Sequence, residues 1–246
     1  MADILSQSPR LPPVDHPADT VWLFDLDNTL YPASCNLFAQ VDSRMAAFIA
    51  EALSITEDEA RGLQKRYYRE HGTTLRGLMI EHNMRPDRFL EFVHAIDVQG
   101  IPPNPALDVA LDALHGRKLI FTNGSVRHAE NVLARLGIAD RFDAIFDIVA
   151  ADYVPKPDPA PYHALVRRFG FAPELACMIE DLPRNLVPAA ALGMTTVLVK
   201  GNHELTEIAN AGDHIHHVTE DLVAWLDTAA AIQRAALEAV ATAPST

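Results

Sequence analysis

The stretch Val21-Trp22-Leu23-Phe24-Asp25-Leu26-Asp27-Asn28-Thr29-Leu30-Tyr31 limits the possible folds more than any other. Four apolar residues bounded by polar ones read as a buried strand, and they run straight into two carboxylates spaced i, i+2. In an open α/β sheet, ligands sit just beyond the carboxyl ends of the strands, which is where Asp25 and Asp27 fall. If the extended geometry persists, that spacing sets both acids on one side and turns Leu26 away. Two carboxylates that converge with no adjacent base repel each other. They need a cation, and oxygen-only ligands suit a hard one such as Mg²⁺.

Beyond this stretch the pattern changes twice. Residues 1–19 carry Ser8-Pro9-Arg10-Leu11-Pro12-Pro13 and His16-Pro17, and read as an irregular arm. From 36 to 103 the spacing is helical throughout. Ser34 can cap a first helix with Phe38, Val41, Met45, Phe48 and Ile49 recurring along it. Thr56 with Glu59 is a capping-box pattern. Leu75, Leu78 and Met79 share a face after Gly72-Thr73-Thr74, and Phe89, Phe92, Val93 and Ile96 mark another helix. So long a block exceeds a plain βαβ crossover. It reads as an all-helical cap inserted after the first strand, over the strand ends.

From Pro105 strands and helices alternate again. Strands are expected at 118–122, 144–151, 177–179 and 195–199, with a short one at 214–218. Pro183 and Pro188 hold one helix back until about Val187. Right-handed crossovers make such a chain a parallel α/β sheet covered on both faces. The α/β core then spans 20–35 and 104–228, the helical cap 36–103, and an Ala-rich helix or tail 229–246.

Charge and cysteine content exclude whole classes of function. The 246 residues carry 20 Lys and Arg against 33 Asp and Glu, a net charge of −13. That argues against a nucleic-acid or anionic-membrane partner. A small anionic substrate stays open, because a bound cation inverts the field at one site. Cys35 and Cys177 make no disulfide framework or metal motif, and a reducing cytoplasm fits. Neither a signal-peptide pattern nor an apolar run of transmembrane length is found. His214 and His216 share a face of an extended segment but lack a third ligand nearby, so His214, His216 and His217 read as exposed or edge-strand side chains. Cys177 reads as core.

Four strand ends carry polar groups: Asp25 with Asp27, Thr122-Asn123-Gly124, Lys156, and Glu180-Asp181. An α/β sheet brings all four to one crevice. Each alone is ordinary: a turn, a solvated lysine, an acidic loop. A calcium loop would need Gly at position 30 and Glu at 36, where the chain has Leu30 and Asn36. Together, in this order and with a helical insert after the first, they resemble the haloacid dehalogenase-like superfamily of phosphohydrolases, over residues 21–201. Within it, the segment from Asp25 to Pro32, the motifs at Thr122 and Lys156, and the cap segment Tyr67-Tyr68-Arg69-Glu70-His71-Gly72-Thr73-Thr74-Leu75-Arg76-Gly77-Leu78 are similar to the pyrimidine 5′-nucleotidase group.

The resemblance implies a Mg²⁺-dependent phosphomonoesterase acting on a small phosphorylated metabolite, a nucleoside 5′-monophosphate above all. Asp25 would attack phosphorus and form an aspartyl phosphate. Asp27 would be acid, then base, a role that requires a raised pKa and that neighbouring carboxylates favour. Lys156 and Mg²⁺ would offset the repulsion between anions. The metal would be held by Asp25, the backbone carbonyl of Asp27 and Asp181, with Glu180 acting through water. Asn185 stands where relatives often carry another acid, and adds no charge. The Thr122 hydroxyl and the Asn123 and Gly124 backbone would bind phosphate together with Lys156. Tyr67, Tyr68 and Phe89 would pack cap helices, with a subset free to stack on a base. The alternatives are a phosphatase or phosphomutase on another small ester, a dehalogenase (against which Asp27 and the acidic motif count), and a non-catalytic protein that binds a phosphate ligand.

Overall fold

The four apolar residues ahead of Asp25 form the central strand of the molecule. The computed structural model describes residues 19–201 and 212–242. In it β1 (Val21–Phe24), β2 (Arg117–Phe121), β3 (Ala144–Phe146), β4 (Ala176–Glu180), β5 (Thr195–Val199) and β6 (His217–Thr219) lie in the order β3-β2-β1-β4-β5-β6. Every neighbouring pair is parallel. Val21 and Leu23 enter one apolar cluster with Phe121, Met178, Tyr162 and Leu186. Trp22 and Phe24 enter another with Ile120, Ile179, Leu133 and Leu226. A strand buried on both faces has no polar alternation, hence the unbroken apolar run.

The first four α-helices after β1 are α1 (Leu37–Leu53), α2 (Glu57–His71), α3 (Thr74–His82) and α4 (Pro86–Val93). They gather a separate apolar cluster around Phe48, Ile49, Tyr67, Leu78, Phe89 and Val93, and so form an all-helical cap inserted after the first strand. Thr56 and Glu59 exchange both bonds of the capping box, and the Thr73 hydroxyl caps α3. Ser34 does not cap α1. It lies in a 3₁₀ turn, Ala33–Cys35, and Asn36 leads into the helix in a left-handed conformation, φ 55°.

The remaining helices are α5 (Pro105–Ala113), α6 (Val126–Leu136), α7 (Pro159–Phe169), α8 (Pro183–Ala191) and α9 (Leu222–Thr242). The expected late start near Val187 is wrong. Helix α8 begins at Pro183, because a proline in the first turn supplies the right φ and loses no needed N–H, and it continues past Pro188. The strand expected over 144–151 stops at Phe146. There the Asp147 carboxylate accepts from Val126 N and Ala150 N at 3.1 and 2.9 Å and turns the chain. The last strand comes later than 214–218, because Thr196 engages the His214 carbonyl and His216 Nδ1 at 2.6 and 2.8 Å. The division expected at 228/229 falls inside α9, whose Leu226, Ala229 and Ala230 share the cluster of Trp22. Residues 1–18 of the expected arm, and 243–246 of the tail, lie outside the described residues. Among the described residues no helix is long and apolar enough to cross a membrane.

Candidate active site

Because β1 pairs with both β2 and β4, the residues that leave these three strands meet. Lys156 ties them together. Its side chain is buried, and Nζ donates to Asp25 Oδ1 at 2.7 Å, Glu180 Oε1 at 2.8 Å and the Phe121 carbonyl at 2.8 Å. All three ammonium protons are therefore used. Burial opposes the charge, but Asp25 and Glu180 outweigh it and push the lysine up, so it stays an ammonium. The Asn123 side chain, expected to lend only its backbone, clamps the Lys156 peptide: Oδ1 accepts from Lys156 N at 2.8 Å, and Nδ2 donates to the Lys156 carbonyl at 3.3 Å.

Glu180 is fully buried and its oxygens are engaged. Oε1 takes Lys156 and Asn185 Nδ2, the latter at 2.5 Å, and Oε2 takes Leu182 N at 2.7 Å. Asp25 accepts from Thr29 Oγ1 at 2.8 Å as well as from Lys156. Burial pushes Asp25 up first, with Glu180 and Asp27 adding to the effect and Lys156 opposing it. Asp181 is pushed up to about 9, by burial and then by the charges of Glu180 and Asp25. One lysine does not balance this many carboxylates.

The set fits a hard divalent cation. Asp25, Glu180 and Asp181 each offer a carboxylate oxygen within 4.8 Å of the others. The donors are all oxygen, as Mg²⁺ prefers. Asn185 Oδ1, buried beside them, has no partner among the described residues, which suits a water of a hydrated ion. Glu180 accepts three hydrogen bonds, two of them on Oε1, whereas each Asp25 oxygen accepts one, so Asp25 and Asp181 keep the greater capacity to reach an ion.

Asp27 departs from expectation. Tyr31 Oη donates to its Oδ1 at 2.6 Å, and His128 Nε2 lies 2.7 Å from the same oxygen. Burial favours the neutral acid, but the charge of His128 and the bonds from His128 and Tyr31 outweigh it and hold Asp27 at about 2. The raised pKa expected from neighbouring carboxylates is thus overturned by a histidine that the sequence did not single out. His128 sits one turn into α6, just after Thr122-Asn123-Gly124 and the Ser125 cap, and that position was the available signal. Thr122 is buried, with its hydroxyl accepting from Gly124 N at 2.9 Å, so in this state the Gly124 N–H is already bonded. A Cβ on Gly124 would stand 3.3 Å from Thr122 Oγ1 and 3.8 Å from Asp27 Oδ2.

Above these groups lies a cavity of about 460 Å³. Its floor is the strand ends, with Asp25, Asp27, Thr122, Lys156 and Asp181. Its roof is the cap, with Phe38, Met45, Tyr68, Leu75 and Phe89. Tyr67 packs inside the cap, while the half-exposed Tyr68 faces the cavity. Arg184 of α8 reaches across, bonding the Tyr68 hydroxyl and stacking 4.9 Å from its ring. His214 and His216 stay outside this group, His214 being bonded to the Pro183 carbonyl at 3.1 Å.

A parallel sheet with a helical insert after its first strand, and a carboxylate-and-lysine cluster at the strand ends, define a class of hydrolase. The family model described as haloacid dehalogenase-like hydrolase matches residues 21–193, and the chain belongs to that family. It is 32% identical over 209 residues to "Phosphate metabolism protein 8" of Saccharomyces cerevisiae, covering 77% of this chain but only 64% of the yeast protein. It is 30% identical over 187 residues to a "Phosphoglycolate phosphatase" of Cereibacter sphaeroides, covering 72% and 83%. Among solved structures, a HAD phosphatase from Thermococcus onnurineus superposes with a TM-score of 0.55 at 19% identity, over 82% of this chain and 94% of that one. The L-2-haloacid dehalogenase from Xanthobacter autotrophicus gives 0.53 at 16%, over 87% and 98%. At such identities these two speak for the fold alone.

Proposed function

We propose that this chain is a Mg²⁺-dependent phosphomonoesterase that forms an aspartyl phosphate on Asp25. The observation that carries the reading is the buried Lys156 ammonium, shared between Asp25 and Glu180 at the floor of a cavity that also holds Thr122 and Asp181. It sets positive charge beside the nucleophile, where phosphoryl oxygens would lie. Asp25 attacks phosphorus, and the ester P–O bond breaks with its electron pair on the leaving oxygen. That oxygen takes a proton from Asp27 and departs as the alcohol. Water then attacks the same phosphorus and gives its proton to Asp27. The Asp25–phosphorus bond breaks and phosphate leaves. The arriving ester is an anion beside Asp27, which favours the protonated carboxyl that the first displacement requires. The Thr122 hydroxyl and the Asn123 backbone bind the phosphoryl group, and the Gly124 N–H joins them when it exchanges Thr122 Oγ1 for a phosphoryl oxygen. Mg²⁺, held by Asp25, Asp181 and the Asp27 carbonyl, would supply Lewis-acid neutralisation of its charge.

For the substrate we propose a nucleoside 5′-monophosphate with a pyrimidine base. A cavity of about 460 Å³, roofed by Phe38, Met45, Tyr68 and Phe89, supports a leaving group larger than glycolate and partly aromatic. The names of the Cereibacter relative and of an Escherichia coli fructose-1-phosphate phosphatase, 34% identical over 114 residues, favour a second reading, a smaller ester. Two free thiols, Cys35 and Cys177, support a cytoplasmic setting. The test is phosphate release by the purified chain from pyrimidine and purine nucleotides, phosphoglycolate and fructose 1-phosphate, with Mg²⁺ and with EDTA. We expect the highest kcat/KM on pyrimidine nucleotides, loss of turnover in EDTA, and a fall of at least ~10³-fold in Asp25→Asn. Turnover that survives Asp25→Asn would sink the mechanism. A preference for phosphoglycolate would sink only the nucleotide assignment.

A further inference from the structure

We propose that His128 and Tyr31 are positioning residues that fix the Asp27 carboxylate by Oδ1 alone and so present Oδ2 as the oxygen that passes the proton. The proposal rests on the phosphatase reading above. Both side chains are buried, each 2% exposed. They come from different elements, Tyr31 from the loop after β1 and His128 from the first turn of α6, yet both end on the same oxygen, at 2.6 and 2.7 Å. A carboxylate torsion is broad and roughly two-fold when free. Two donors on one oxygen narrow it, since rotation would break both bonds. The second oxygen lies near Gly124: the point where a Cβ would stand there is 3.8 Å from Asp27 Oδ2, 3.3 Å from the Thr122 hydroxyl and 3.1 Å from His128 Cδ2, so a residue without a side chain is what lets these groups close together. The proton-passing oxygen and a phosphate-binding group thus lie side by side at the Gly124 backbone.

The His128 ring is itself held. It stacks on His94 of the cap, with centroids 4.7 Å apart and planes 14° apart. Ser125 Oγ bonds His94 Nδ1 at 2.8 Å and accepts from His128 N at 3.3 Å. No step in the proposed reaction uses His128 directly, so its fixed placement is otherwise unexplained.

The experiment compares kcat/KM of the full chain with Mg²⁺ on ethyl phosphate and on p-nitrophenyl phosphate. Nitrophenolate leaves readily without a proton, whereas ethoxide needs one, so a misdirected Asp27 shows in the ratio of the two. His128→Ala and Tyr31→Phe should each lower the ethyl to p-nitrophenyl ratio by about tenfold or more. His128→Gln, whose amide nitrogen reaches as Nε2 does, should restore most of it. An equal fall on both esters, or an unchanged ratio, assigns these residues a merely structural role and overturns the proposal. If His128→Ala does not fold, Tyr31→Phe decides alone, because it removes only a hydroxyl. A wild-type chain inactive on both esters and on the nucleotide panel overturns the phosphatase reading, and this inference with it.

Discussion

His94 stands at the C-terminal end of α4 with one charged neighbour in its favour and two effects against it. Burial disfavours its imidazolium, the charge of His128 adds to that, and Asp27 only partly opposes them, so its pKa is lowered from 6.5 to about 4. Between those values the unfolded chain binds a proton that the folded chain refuses. Stability from this site is therefore highest above pH 6.5, falls as pH drops toward 4, and levels off below. The whole loss is at most about 3 kcal/mol. Urea midpoints for wild type and His94→Gln should differ most near neutrality, and the gap should shrink through that window; a constant gap contradicts the assignment. The pair His94 and His128 also marks where the sequence stops being legible. Asp25, Thr122 and Asp181 directly follow strands, Glu180 ends one and Lys156 lies in the loop after β3, so a local pattern suffices to bring them to one crevice. The contact of Asp27 with His128 joins positions that no periodicity connects, and among the groups that keep Asp27 ionised His128 has the largest effect.

At the scale of elements, α2 and α3 touch through a position with no side chain. A Cβ on Gly77 would stand 2.3 Å from Tyr67 Cγ, a buried ring on the facing helix. Gly77→Ala gains up to about 1 kcal/mol in helix propensity, but it must push the helices apart or the ring off its rotamer, at about 1–3 kcal/mol. The net expectation is a lower melting temperature, read by circular dichroism; an unchanged or higher one would mean that the cap yields freely. Gly77 was legible only as part of a family-like string, because the ring it admits lies on another helix. The capping box at Thr56 was legible because both partners sit within one turn. The start of α8 was misread because proline is both a helix breaker and a first-turn residue, and what precedes Pro183 decides between the two. The early end of β3 depends on Asp147 reaching Val126, again a contact outside any local pattern.

For the molecule as a whole, the acidic cluster would couple folding to binding of the proposed cation. Asp181 is pushed up to about 9, so the ion-free protein bears a cost at neutral pH that a cation would remove. At about 100 times its Kd, Mg²⁺ would add ~2.7 kcal/mol, or roughly 5–10 °C in Tm for a chain of this length. Asp181→Asn should melt higher than wild type in EDTA and respond little to added Mg²⁺. A wild-type Tm indifferent to Mg²⁺ would remove the ion from the proposed site. The sheet order has a consequence of another kind. Val21 pairs with Arg117 on one side and with Ala176 on the other. A nascent polypeptide leaving the ribosome thus carries its stickiest strand bare until most of the message has been translated. Synthesis cut short before β4 would leave fragments with an open apolar edge, the kind that chaperones bind and proteases clear.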